Sequence, residues 1–156
     1  MPVLVQKLKA SIRFVREPGW LAFVWFGLTA GISLLEAPIK FTAPTITREI
    51  ALDVGRVVFL ALNKVELALL ILLLILVRTS GRARNLWAHC SVLALIMIAQ
   101  SAWLLPELAA RSQTIVSGIE PGSSIAHGAY AVTEVVKLAT LLVVGFRSLD
   151  LMTESR

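Results

Sequence analysis

Four stretches of the chain stay apolar long enough to cross a bilayer: residues 20–41, 55–77, 86–105 and 125–146. An α-helix rises about 1.5 Å per residue, so roughly 20 such residues cover a hydrocarbon core. The connections between them are short and polar. This pattern predicts an all-α, polytopic membrane protein, a four-transmembrane-helix bundle spanning residues 19–147, with residues 148–156 as a tail. Residues 1–18 have a different pattern. Leu4, Leu8, Ile12 and Val15 recur at helical spacing while Lys7, Lys9, Arg13 and Arg16 fill the other faces. That is the signature of a basic amphipathic helix lying in the headgroup region, set off from the first span by Pro18-Gly19.

Punctuation within the pattern predicts where the helices begin and end. Pro38, in Glu36-Ala-Pro-Ile-Lys40, lacks a backbone donor and bends or ends the first helix. Thr47 is an N-cap with Glu49 in the first turn, so the second helix starts ahead of its apolar run. The third helix continues past Pro106 towards Val116, because Glu107-Leu-Ala-Ala-Arg111 keeps good helix formers and an i,i+4 ion pair; Pro106 then marks a kink. A loop follows at residues 117–124, and Ser123 or Ser124 caps the fourth helix. Gly27 and Gly31 form a small-xxx-small step, read as close packing inside the bundle in preference to a homodimer contact. The halves 1–78 and 79–156 each hold two spans, but their motifs do not align, so no internal repeat is expected.

Composition narrows the class. The 156 residues are 57% hydrophobic with a mean hydropathy of +0.81, beyond an ordinary soluble domain. Net charge is +5, and its placement matters more than its size. Lys7, Lys9, Arg13, Arg16, Arg78, Arg82, Arg84, Arg147 and Arg156 lie on one side of the predicted spans, and only Arg48 and Arg111 on the other. The positive-inside rule then puts both termini and the 78–85 loop in the cytoplasm, as in a multi-pass protein of a bacterial cytoplasmic (inner) membrane. The expected partner is the lipid bilayer, alone or within a homo-oligomer or larger membrane complex, and the basic excess makes no case for nucleic acid. No short apolar core with a small-residue cleavage site marks a secretory signal. A single cysteine, Cys90, excludes an internal disulfide or a Cys-based metal framework and reads as a small buried apolar group.

Ionisable residues are costly inside hydrocarbon and usually face a bundle interior. Here the candidate ligand-binding set is Glu36, Arg56, Asn63, Glu66, His127, Tyr130, Glu134 and Lys137. Arg56, Phe59, Asn63 and Glu66 step by helical intervals, as do His127, Tyr130, Glu134 and Lys137, so two polar stripes can face each other. With Lys40, Lys64, Gln100, Glu107 and Arg111 they fall mainly in the outer half of the membrane, with roughly balanced signs. Lys64 is out of phase with its stripe and is expected against another helix, while Lys40 and Arg111 are expected to snorkel.

Two readings follow: a polar cavity that binds or transports a small polar solute or ion, or a network in an accessory subunit that only fixes helix register. A divalent metal on His127, Glu134, Glu66 and Glu36 is weakly indicated, because the neighbouring cations oppose it. An anion held by Arg56, Lys64, Arg111 and Lys137, or proton coupling through Glu66, His127 and Glu134, are the other ligand classes. His89 and His127 sit near opposite faces and cannot share a haem. No serine elbow, His-Glu zinc helix or phosphate loop is present, so no enzyme is expected, and cofactors stay unassigned.

The segments Gly31-Ile-Ser-Leu-Leu-Glu36-Ala-Pro38-Ile-Lys40-Phe41, Gly55-Arg56-Val-Val-Phe59, Asn63-Lys64-Val-Glu66 and His127-Gly-Ala-Tyr130-Ala-Val-Thr-Glu134-Val-Val-Lys137 resemble uncharacterised bacterial four-helix membrane proteins. More distantly, the chain is similar to the domain-of-unknown-function 4149 family that includes transmembrane protein 205. The resemblance implies the four-span fold and, through eukaryotic members linked to metal-drug resistance and secretion, leans towards transport.

Overall fold

A computed structural model describes residues 17–80 and 83–153; the amphipathic segment expected at residues 1–18 lies almost wholly outside them. Four helices, each long and apolar enough to cross a membrane, make up the molecule: α1 (Pro18–Thr42), α2 (Arg48–Thr79), α3 (Trp87–Val116) and α4 (Ala126–Thr153). No strand occurs among the described residues. Leu35, Ile71, Leu95, Ile98 and Val132 project from the outside of the bundle, as lipid-facing side chains do in a membrane protein.

The helix ends follow the local chemistry. Pro18 occupies the first turn of α1, where a missing N–H costs nothing. The Thr47 hydroxyl accepts from Ile50 N at the start of α2, and Ser124 Oγ accepts from Ala126 N at the start of α4. α3 runs to Val116 as expected and closes with Gly118 at φ 80°, Gly118 N on Ile115 O and Ile119 N on Thr114 O. Only glycine takes that φ without strain, and the two bonds satisfy carbonyls the helix leaves open.

Both predicted proline bends take a specific form. α1 widens into a π-helix at Gly31–Glu36 just before Pro38, and α3 does so at Gln100–Leu104 just before Pro106. A proline ring clashes with the carbonyl four residues earlier and supplies no N–H, and a wider turn relieves both faults without ending the helix.

Each helix packs on two neighbours in a square arrangement: α1 on α2 and α4, α3 on α2 and α4. The end bearing Pro18, Thr79 and Leu86, hereafter the terminal end, is filled by Leu21, Trp25, Leu70, Leu73, Leu93, Met97, Leu141 and Val144, with Cys90 buried among them. There α1 and α4 touch most closely. Gly19 N donates to Ser148 Oγ at 3.0 Å, and a Cβ on Gly19 would lie 2.9 Å from Ser148 Cβ. Gly27 and Gly31, in contrast, face open space, so the expected packing role of that step is wrong; Gly19 and Gly145 make the close approaches instead.

The motifs of the two halves do not align, yet some positions correspond. Counting 68 residues on from the first half brings Ser33 to Ser101, Pro38 to Pro106 and Glu66 to Glu134, and both π segments end in register, at Glu36 and Leu104. Buried positions coincide as well: Ala22 with Cys90, Trp25 with Leu93, Thr29 with Met97, Leu62 with Tyr130, Leu70 with Leu138 and Leu73 with Leu141. These positions match between the two hairpins of the bundle. Glu66 and Glu134 meet across its diagonal.

Candidate functional site

Glu66 lies about 20 Å from the Thr79 end of α2 and about 27 Å from its start, at the helical rise per residue, so it marks the middle of the bundle. Around it, residues from all four helices form one buried polar layer. Lys137 Nζ, with no exposed surface, sits 2.7 Å from Glu66 Oε1, 2.8 Å from Glu66 Oε2 and 2.6 Å from Glu134 Oε1. It also donates to Gln100 Oε1 at 3.0 Å. The ammonium is thus shared between two carboxylates occupying equivalent places in the two halves.

The remaining acceptors are met by neutral donors. Trp25 Nε1–H and the Thr29 hydroxyl both donate to Glu66 Oε1, at 2.9 and 2.7 Å. Gln100 Nε2 donates to Glu134 Oε1 and to Thr133 Oγ1, both at 2.9 Å. Ser33 Oγ donates to Glu134 Oε2 at 2.8 Å. Asn63 and Ser101 exchange hydrogen bonds at 3.1 Å one turn from Glu66. Ser33, Gln100 and Ser101 all belong to the two π segments, whose wider turns place them in this layer.

On the loop side of the layer lies a cavity of about 560 Å³, partly open to the surface. Glu134 and Ser33 line its deep end. Its walls are Leu34, Ala37, Phe41, Phe59, Leu60, Leu105, Leu108 and Val135, and the Tyr130 ring lies edge-on to Phe59 with centroids 5.6 Å apart. Lys40, Arg56 and His127 complete the lining. Glu134, only 4% exposed, is the one member of the buried ion triad among the lining residues.

The structure divides the eight candidate residues. Glu66, Glu134 and Lys137 form the buried triad, and Tyr130, Arg56, His127 and Glu134 line the cavity. Asn63 does not face the cavity but pairs with Ser101. Glu36 pairs with Lys40 Nζ at 3.3 Å within α1. Arg56 is held by Asp53 at 2.7 Å, and His127 is exposed. The mixed carboxylate and histidine set weighed for a metal is not assembled, and no group of three such donors occurs among the described residues.

Two placements need correction. Lys40 does not snorkel: its side chain is 9% exposed, with the ammonium near Glu36 and 5.5 Å from the Phe59 ring centroid. Lys64 is not packed on another helix but exposed on the outside of α2. Arg111 reaches the Gly122 carbonyl and, at 3.9 Å, Glu107. Trp25, Thr29, Ser33, Gln100, Ser101 and Thr133 were absent from the candidate set, although Gln100 stood out as a polar residue within the third span.

Comparison with protein-family models, curated proteins and solved structures gives no match. Fold and site together define a class, a four-helix membrane protein with a buried polar network.

Proposed function

We propose that this chain binds a small solute in the loop-end cavity, its apolar part against the walls and its polar group towards Glu134 and Ser33, with the loop end facing away from the cytoplasm. The observation that carries the reading is a buried carboxylate at the deep end of a mainly apolar cavity of about 560 Å³. Ligand sites have this construction: an apolar concavity of several hundred cubic ångströms with a few convergent polar groups. The role is binding, the first step of any passage across the bilayer; beyond Lys137 the axis is occupied by Trp25, Leu73, Leu93, Met97 and Leu141.

The test is a thermal-shift screen of purified protein in nanodiscs against small polar and amphiphilic solutes, with Ala109→Phe as a variant that fills the cavity. A ligand at 100 times its Kd should stabilise the wild type by about 2.7 kcal/mol, and the filled variant should not respond. A second reading is favoured by the saturation of Glu66, Gln100 and Asn63 by protein partners: the layer fixes helix register in an accessory subunit. That reading prevails if no solute shifts the wild type and Ala109→Phe melts higher than it.

A further inference from the structure

The cavity and the axial layer share one carboxylate, and the charges around it do not cancel. Every cation near the cavity is held by an acid on its own helix: Lys40 by Glu36, Arg56 by Asp53 and Arg111 by Glu107. Each of these pairs sums to zero. Counted with both acids ionised, the buried triad does not, because Glu66 and Glu134 share the single ammonium of Lys137.

The correspondence between the halves gives the reason for the deficit. Each hairpin contributes a carboxylate to the axis, but only the second follows it with a lysine three residues later. At the equivalent place after Glu66 the first hairpin has Leu69. The carboxylate is thus present in both halves and the lysine in one.

The two carboxylates are not equally open to a second cation. Glu66 is 1% exposed, is away from the cavity and is already met by Lys137, Trp25 and Thr29. Glu134 Oε1 is taken by Lys137 and Gln100, whereas Oε2 accepts from the Ser33 hydroxyl, the Tyr130 hydroxyl also bonds to this carboxylate, and Glu134 belongs to the cavity lining. A carboxylate oxygen can accept more than one donor. Among the lining residues are the rings of Tyr130 and Phe59, set edge to face; aromatic faces attract cations, and Phe59 already has the Lys40 ammonium 5.5 Å from its centroid.

We propose that the cavity takes a monocationic ligand, a small amine or ammonium group on an apolar body, with Glu134 as its counter-ion. This deepens the binding reading above and rests on it. Anionic solutes are disfavoured at the deep end, because the arginine and lysine charges at the cavity are already paired.

Three probes of nearly equal shape test the proposal by calorimetry on the full chain in nanodiscs: benzylammonium, benzyl alcohol and benzoate. Benzylammonium is expected to bind at least roughly tenfold more tightly than benzyl alcohol, with benzoate weakest, since a charge-assisted hydrogen bond replaces a neutral one. Glu134→Gln should lose that preference while still taking benzyl alcohol. Leu69→Lys, which supplies a second ammonium from the equivalent position, should do the same, and it keeps the test available should Glu134→Gln fail to fold. Equal binding of ammonium and alcohol by the wild type, or tightest binding of benzoate, overturns the charge inference and leaves the cavity reading standing. If none of the three binds, the cavity reading falls and the inference with it.

Discussion

At Lys137 a full positive charge is held with no exposed surface, between two carboxylates and an amide oxygen. Removing one partner of a buried ion pair leaves the others uncompensated, so Lys137→Leu should destabilise the protein by about 3–5 kcal/mol in denaturant unfolding from detergent. Adding Glu66→Gln to it should recover part of that loss, which a double-mutant cycle reads directly. Ser33→Ala removes only a neutral donor and should cost about 0.6 kcal/mol, the average for interhelical hydrogen bonds in a membrane. The triad was legible in the sequence because Glu and Lys inside long apolar runs have few physical reasons to be there. Its neutral donors were not: Trp25, Thr29 and Ser33 are residues that also face lipid or bond to their own helix. Arg56, Glu36 and His127 are polar in the same sense, yet they lie nearer the loop end, where a partner on the same helix or an exposed position suffices and no axial partner is needed.

Among the elements, helix ends and proline positions were readable because capping and the missing proline N–H act locally. What local chemistry cannot specify is how a helix accommodates a proline, and here both do so by π turns that carry Ser33, Gln100 and Ser101 into the polar layer. The glycine step was misread for a related reason, since a small residue permits close packing without naming a neighbour. Gly19→Ala should therefore destabilise by about 1–3 kcal/mol, as its Cβ would press on Ser148 and on the Gly145 backbone oxygen at 3.1 Å. Gly27→Ala meets nothing within 4 Å and should stabilise by about 0.5–1 kcal/mol through the helical preference of alanine. Paired thermal melts of the two variants would show opposite signs.

For the whole molecule, four spans followed from hydropathy alone, while the correspondence of buried positions between the halves did not. It resides mainly in which positions are buried, and few of the matched positions are identical, so a comparison of letters passes over it. The deduced orientation is open to direct test because Cys90 is fully buried and gives little background. In intact cells an impermeant maleimide should label Ser124→Cys at the loop end and spare Thr79→Cys; the reverse result inverts the topology. The distance along the chain between Glu66 and Lys137, 71 positions, has a consequence for biogenesis. A ribosome delivers the first hairpin before the lysine exists, so Glu66 waits with only the indole and hydroxyl of α1 for company. Its counter-charge arrives with α4, which makes insertion of that helix the step that locks the bundle and leaves a product truncated before it with an unmatched acid.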